Sequence, residues 1–268
     1  MTTPVKVLAS VTILLACAAP PALAQDNYEI QVYGSETMAP HTTMFELHSN
    51  FTPIGRTFTE DGVLPTNHQE HETLEITRGL TDWSELGFYF FSSYASGQGY
   101  HYVGSHIRPR VRAPESWNLP VGLSLSTEIG FQSADYSPDT WSIEIRPIID
   151  KQMGAWYWSI NPVLGKSLRG VNAGSGFDFE PNVALTRDIT KFVNLGAEYY
   201  GAWGPVKDLS PSDEWEHQLF GVVNLDFGPE WEFNAGMGFG FTATQEKRIL
   251  KVILGRRIGP LPVHPPGQ

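Results

Sequence analysis

In the stretch VGLSLSTEIGF, Val121, Leu123, Leu125, Thr127, Ile129 and Phe131 alternate with Gly122, Ser124, Ser126, Glu128 and Gly130. A period of two produces a strand with one apolar and one polar face, and no helix reproduces it. The pattern returns in WSIEIR, where Trp141, Ile143 and Ile145 oppose Ser142, Glu144 and Arg146. It returns again in FDFEPNVALT, where Phe177, Phe179, Val183 and Leu185 oppose Asp178, Glu180, Asn182 and Thr186. A chain built of such strands has to cover one face of each strand and close or protect the edges.

The connections between strands fall into two kinds. Short turns are expected at GLTDW, RAPESWNLP, DKQMGAW, DITKF and FGPEW. Longer loops rich in Gly, Ser and Pro are expected near 52–68, 94–99, 132–138, 167–175 and 203–213. Segregation of short turns to one side and long loops to the other marks an outer-membrane barrel, with turns in the periplasm and loops outside. Each short turn is followed by an aromatic: Trp83, Trp117, Trp156, Phe192 and Trp231. Set at one height, these form an interfacial girdle; Tyr94, Tyr100, Trp141, Trp203 and Trp215 form the second. The competing reading is that the aromatics fill a soluble β core. TRGLTDWSELGFYF, from Thr77, and TRDITKFVNLGAEYY, from Thr186, are then two copies of one unit: strand end, turn, girdle residue, strand.

Twelve wall strands follow, near 42–51, 69–79, 83–94, 99–111, 118–131, 139–149, 154–166, 176–187, 191–202, 214–226, 230–242 and 248–258. The fold class is all-β, an antiparallel up-and-down transmembrane barrel. An even count returns both ends of the barrel to one side. YEIQVYGSE, from Tyr28 to Glu36, would be a thirteenth strand. Parity makes it a periplasmic or lumen-entering segment instead.

Residues 1–24 read as a signal peptide: Lys6, an apolar run from Val7 to Cys17, then APPALA, with cleavage between Ala24 and Gln25. The alternative is lipidation of Cys17 after LLA. Cys17 is the only cysteine, so cleavage at Ala24 leaves no thiol for disulfides or metal. The remaining parts are an N-terminal segment at 25–41, a barrel at 42–258 and a Pro-rich tail at 259–268. A formal charge of −11, without a basic run, excludes nucleic acid as a partner.

If the apolar faces meet lipid, the lumen receives Glu46, His48, Glu75, Arg108, Arg110, Arg112, Glu128, Glu144, Arg146, Asp178, Glu180 and Glu198. In HIRPRVRAP, Arg108, Arg110 and Arg112 share one face of one strand. Opposed by acids on neighbouring strands, they either set a field that selects polar or anionic solutes or make structural ion pairs that fill a narrow bore. His68 and His71 lie in NHQEHE without the spacing of a zinc-binding helix. No G-x-S-x-G or P-loop pattern is present, and the adjacent His48 and Ser49 point apart on a strand. No catalytic, metal or cofactor residues are therefore assigned, and the chain reads as a non-enzyme.

EIQVYGSETMAPHTTMFELHSNF, ITRGLTDWSELGFYF and HIRPRVRAPESWNLPVGLSLSTEIGF resemble segments of a bacterial family of outer-membrane β-barrels, similar to those grouped with transporters of the meta-cleavage pathway of phenol degradation. The resemblance implies a barrel in the outer membrane and brings no catalytic residues with it. Many bacterial barrels end in an aromatic recognised by the assembly machinery, whereas RILKVILGRRI here runs on into GPLPVHPPGQ. Arg256 and Arg257 must then lie near an interface, because a mid-membrane basic side chain costs about 2–4 kcal/mol. The expected function is a passive channel for small solutes, with outer-membrane lipid and the barrel-assembly machinery as partners. Two alternatives stand beside it: a plugged structural or adhesive barrel whose loops bind a partner, and a lipid-modifying enzyme.

Overall fold

The computed structural model describes residues 27–242 and 246–260. The expected signal peptide with Cys17, the expected cleavage site between Ala24 and Gln25, and most of the tail lie outside them. Twelve strands form the wall: β1 (Thr43–Ile54), β2 (Gln69–Thr81), β3 (Ser84–Ala95), β4 (Gly99–Arg112), β5 (Gly122–Gln132), β6 (Asp139–Met153), β7 (Trp156–Gly170), β8 (Asp178–Asp188), β9 (Val193–Ala202), β10 (Glu216–Leu225), β11 (Trp231–Gly240) and β12 (Arg248–Ile258). Each pairs antiparallel with its sequence neighbours, and β1 pairs with β12 from Thr43↔Ile258 to Phe51↔Leu250, closing the barrel. Closure gives every strand two partners and leaves no edge.

The register sorts the side chains. On the outside, Phe45, Ile76, Phe88, Ile107, Ile129 and Ile143 stand in one row across β1 to β6. A second row joins Phe233, Leu254, Leu47, Leu74 and Phe90. Many of these are exposed, Leu47 at 46% and Phe90 at 45%. A continuous exposed apolar band of this extent is foreign to a water-facing surface and matches the lipid-facing belt of a membrane barrel. On the inside, Glu232, Gly255, Glu46, Glu75, Tyr89 and His106 occupy the matching row. In these rows most polar residues are buried and the apolar ones exposed, the inverse of a soluble β core.

The segregation of turns and loops is looser than the sequence predicts. The end carrying both barrel termini has tight turns at Asp82–Trp83 and Gly154–Ala155, but its connection at 113–121 is long, wound around a 3-10 turn at Glu115–Trp117. Pro114 opens that turn at φ −59°, and Asn118 leaves it in the left-handed region at φ 47°. At the other end, the loop expected at 94–99 is a turn of three residues, 96–98, framed by Gly97 and Gly99 at φ 84° and 86°. Glycine adopts such angles without a Cβ clash. The remaining loops there are longer: residues 55–68 reach across the opening, where Leu64 N donates to Asp135 O of the β5–β6 connection at 2.8 Å. Thr66 of the same loop bonds Glu246. Burial pushes the Glu246 carboxyl above its usual range, and the Thr66 hydrogen bond offsets part of that.

The aromatics assigned to the turn-end girdle are exposed or half-buried, but they do not all open strands. Trp156 and Trp231 are the first residues of β7 and β11; Trp83 and Phe192 lie one residue before their strands; Trp117 sits in the 3-10 turn, well short of β5. At the other end, Trp203 and Trp215 stack on each other, with centroids 4.3 Å apart and planes 8° from parallel. They form a pair within the 203–215 connection, while Tyr94, Tyr100 and Trp141 are exposed at the loop ends of β3, β4 and β6.

Candidate functional site

Inside the barrel runs the stretch from Asn27 to Thr42, which belongs to no wall strand and meets the sheet backbone at its end, where His41 N donates to Gly79 O and Gly79 N to Thr42 O. A backbone outside the sheet still needs partners for its N–H and C=O groups, and here wall side chains supply them. Thr73 Oγ1 donates to Tyr28 O at 2.6 Å, and Lys251 Nζ to Ile30 O at 3.0 Å. Asn161 accepts from Tyr33 N at 2.8 Å and donates back to Tyr33 O at 3.0 Å, joined there by Ser159 at 2.6 Å. Asp150 accepts from Ser35 N and Oγ at 2.8 and 2.7 Å, and Glu85 accepts from Met38 N at 2.6 Å. Arg110 donates to both Gly34 O and Glu36 O. The donors and acceptors come from β2, β3, β4, β6, β7 and β12, so the segment bridges the bore. Gly79 and Gly122 let it lie close: a Cβ at the first would collide with Ala39 O, and one at the second with Ser35 Oγ.

The side chains of the segment meet three environments. Ile30 packs with Tyr200, Phe220, Val222 and Ile249, and Val32 lies against the same cluster. Tyr28 packs with Tyr89, Phe91 and Val103 and meets His71 edge-on at 4.9 Å. Tyr33 points into charge: the guanidinium carbons of Arg146, Arg108 and Arg110 lie 4.8, 5.2 and 5.7 Å from its ring centroid. Its hydroxyl bonds Glu29 and sits 3.1 Å from that of Tyr89. Cations over an aromatic face gain about 2 kcal/mol or more when desolvated.

The arginines expected as one basic ladder do three different jobs. Arg108 is buried and bonds Glu75 at 2.5 Å and Glu85 at 3.0 Å. Arg110 holds the segment. Arg112 lies at the turn-end rim, bonding Asp82 O at 2.9 Å and Glu115 at 2.8 Å. Glu144 grips Arg146 with both oxygens, at 2.6 and 3.0 Å, and Glu128 bonds His106. Glu198 accepts from Lys251 at 2.5 Å and from Tyr200 at 2.6 Å. Asp178 and Glu180 are partly buried on β8 towards the loop end. Glu46, His48 and Glu75 are buried side by side on β1 and β2. His71 is on β2 and buried, while His68 is exposed at φ 60°. Arg257 points inward to Glu232 at 2.5 Å; Arg256 points outward at the same end, 4.7 Å from the Trp231 ring.

Several interior residues escaped the sequence reading. Glu85 and Lys251 follow the alternation of their strands, yet Lys251 sits in RILKVILGRRI, where Ile249 and Ile253 also face inward and hide the pattern. Asp150, Ser159 and Asn161 carry no motif and become visible only once the segment is placed against them.

Between the segment and the turn-end rim lies a cavity of about 1120 Å³. Its walls carry Glu46, Glu75 and Arg108 deep inside and Lys191, Asp226 and Phe192 at the turns. Both signs of charge line it.

No family model matches the chain, and no curated protein does. The likeness to the phenol meta-cleavage transporters therefore rests on the quoted sequence segments alone. Among solved structures the chain is similar to the KdgM porin, with a TM-score of 0.52 at 8% identity over 81% of this chain and 99% of that one. Omp33 of Acinetobacter baumannii scores 0.44 at 10% identity over 84% of this chain and 100% of its own. LpxR from Salmonella typhimurium scores 0.42 at 8% over 80% and 99%. At these identities the likeness is one of fold, that of bacterial outer-membrane β-barrels.

Proposed function

We propose that this chain is an outer-membrane barrel serving as a passive channel for small polar solutes, its bore narrowed by its own N-terminal segment. The observation that carries the reading is the inverted surface: an apolar outer band faces lipid, while buried charges of both signs line a cavity that begins at the turn-end rim. The barrel shared with a protein named as a porin supports it. The ion-paired interior favours solutes able to exchange hydrogen bonds with Arg, Glu and Asn side chains over purely apolar ones.

A second reading has its own observation. Asn27 to Thr42 is bonded to so many wall strands that a permanently closed, structural barrel is also supported. Conductance of purified protein in planar bilayers, full length against a form lacking residues 25–40, separates the two. A channel narrowed by its segment conducts, and conducts more after truncation. Silence of both forms, each verified as folded, overturns the channel reading in favour of a closed barrel.

A further inference from the structure

Glu46 and His48 are two residues apart on β1 and share its inner face; Glu75 stands opposite Glu46 on β2. One ligand atom from each lies within 4.8 Å of the others, and His48 Nε2 is 3.6 Å from Glu75 Oε2. All three are more than nine-tenths buried, His48 completely. Glu46 Oε1, both ring nitrogens of His48 and Glu75 Oε2 take part in no hydrogen bond. Glu75 turns only Oε1 to Arg108 and Thr77. Among the described residues Glu46 has no ion pair, whereas the neighbouring Glu85 and Glu232 each have an arginine.

We propose that Glu46, His48 and Glu75 bind a divalent first-row transition ion of the Zn²⁺ type. A tetrahedral ion with bonds of about 2.0–2.1 Å holds its ligands about 3.4 Å apart, close to the separation of His48 from Glu75. One imidazole and two carboxylates form a mixed N/O set that suits Zn²⁺. Ca²⁺ asks for six or more oxygens, and Cu(I) for sulfur. The ion neutralises Glu46 and engages a nitrogen of His48 that burial otherwise leaves unsatisfied, a costly state for a polar atom. Glu46 and Glu75 border the cavity, so the ion has a route from the turn end and a coordination position open towards that space. Bound there, it clamps β1 to β2 just inside the closure seam with β12. The site does not depend on whether the barrel conducts.

The test uses the mature chain folded in detergent micelles, stripped with chelator and dialysed against Zn²⁺, with bound metal measured by elemental analysis. One equivalent is expected. His48→Gln and Glu46→Gln should each weaken binding by about 100-fold or more, since even outer-sphere changes cost 10–100-fold. His71→Gln, which changes a buried histidine turned towards Tyr28, should leave binding unchanged. Co²⁺ in place of Zn²⁺ should give visible d–d bands that both ligand variants abolish. Failure of the folded protein to bind a stoichiometric ion overturns the proposal, and so does binding that both substitutions leave intact. If His48→Gln does not reach the folded form, the isosteric Glu46→Gln decides alone.

Discussion

The two sides of the barrel interior are built of different material. From β9 to β12 the inner face presents Tyr200, Phe220, Val222 and Ile249, an apolar patch that receives Ile30 beside the single Glu198–Lys251 pair, with Glu232 and Arg257 nearer the turn end. From β2 to β6 it presents Glu75, Glu85, Arg108, Arg110 and Arg146, arranged around Tyr33. A water-filled lumen gives no reason for the first side. A wall strand keeps apolar residues facing inward when its inner neighbour is protein, so the apolar patch is the footprint of the N-terminal segment. The charged side anchors that segment by direction-specific bonds, and the apolar patch anchors it by burial with one added bond from Lys251 to Ile30 O; together they fix both its depth and its rotation.

The sharpest way to break this contrast is on the charged side. Arg108→Met should remove the arginine partner of Glu75 and strip Glu85 of its closest one, costing about 3–5 kcal/mol because buried carboxylates are left behind. The shift in urea midpoint of the lipid-reconstituted protein measures it, and a loss under 1 kcal/mol would mean that the interior is wet enough to hydrate those acids. On the apolar side, Ile249→Ala should cost about 2–5 kcal/mol by opening a cavity beneath Ile30. In the form lacking residues 25–40 the same change should cost much less, and an equal cost in both forms would disconnect the patch from the segment. Smallest is Tyr33→Phe, which keeps the ring among the three guanidinium groups but removes the hydroxyl bonded to Glu29 and Tyr89. About 1–2 kcal/mol is expected, with no change in conductance beyond that of a slightly looser segment.

Much of the wall was legible in the sequence. Alternation in VGLSLSTEIGF and its relatives assigned the inner and outer faces, and parity set aside YEIQVYGSE, which the structure leaves unpaired with any strand. Connection lengths were read less well: a 3-10 turn between Pro114 and Asn118 lengthens one connection expected to be short, and two glycines shorten one expected to be long. The arginine run was visible, but its division of labour was not. That division depends on what each guanidinium meets, acids of β2 and β3 for Arg108, the segment backbone for Arg110 and the turns for Arg112, and sequence spacing reports only the face of a strand.

The amino-acid sequence by itself determined the period of two, the turn positions and hence a closed twelve-stranded wall, because these follow from local backbone geometry and the demand that no strand edge stay unpaired. Tertiary structure alone decided where the N-terminal segment lies, that Arg108 faces Glu75 while Arg110 faces a backbone, and that Glu46, His48 and Glu75 converge. The first depends on closure, which brings Tyr33 to Asn161 and Ile30 to Lys251 inside one bore; the other two depend on strand register and on side-chain packing against the segment, neither of which sequence spacing reports.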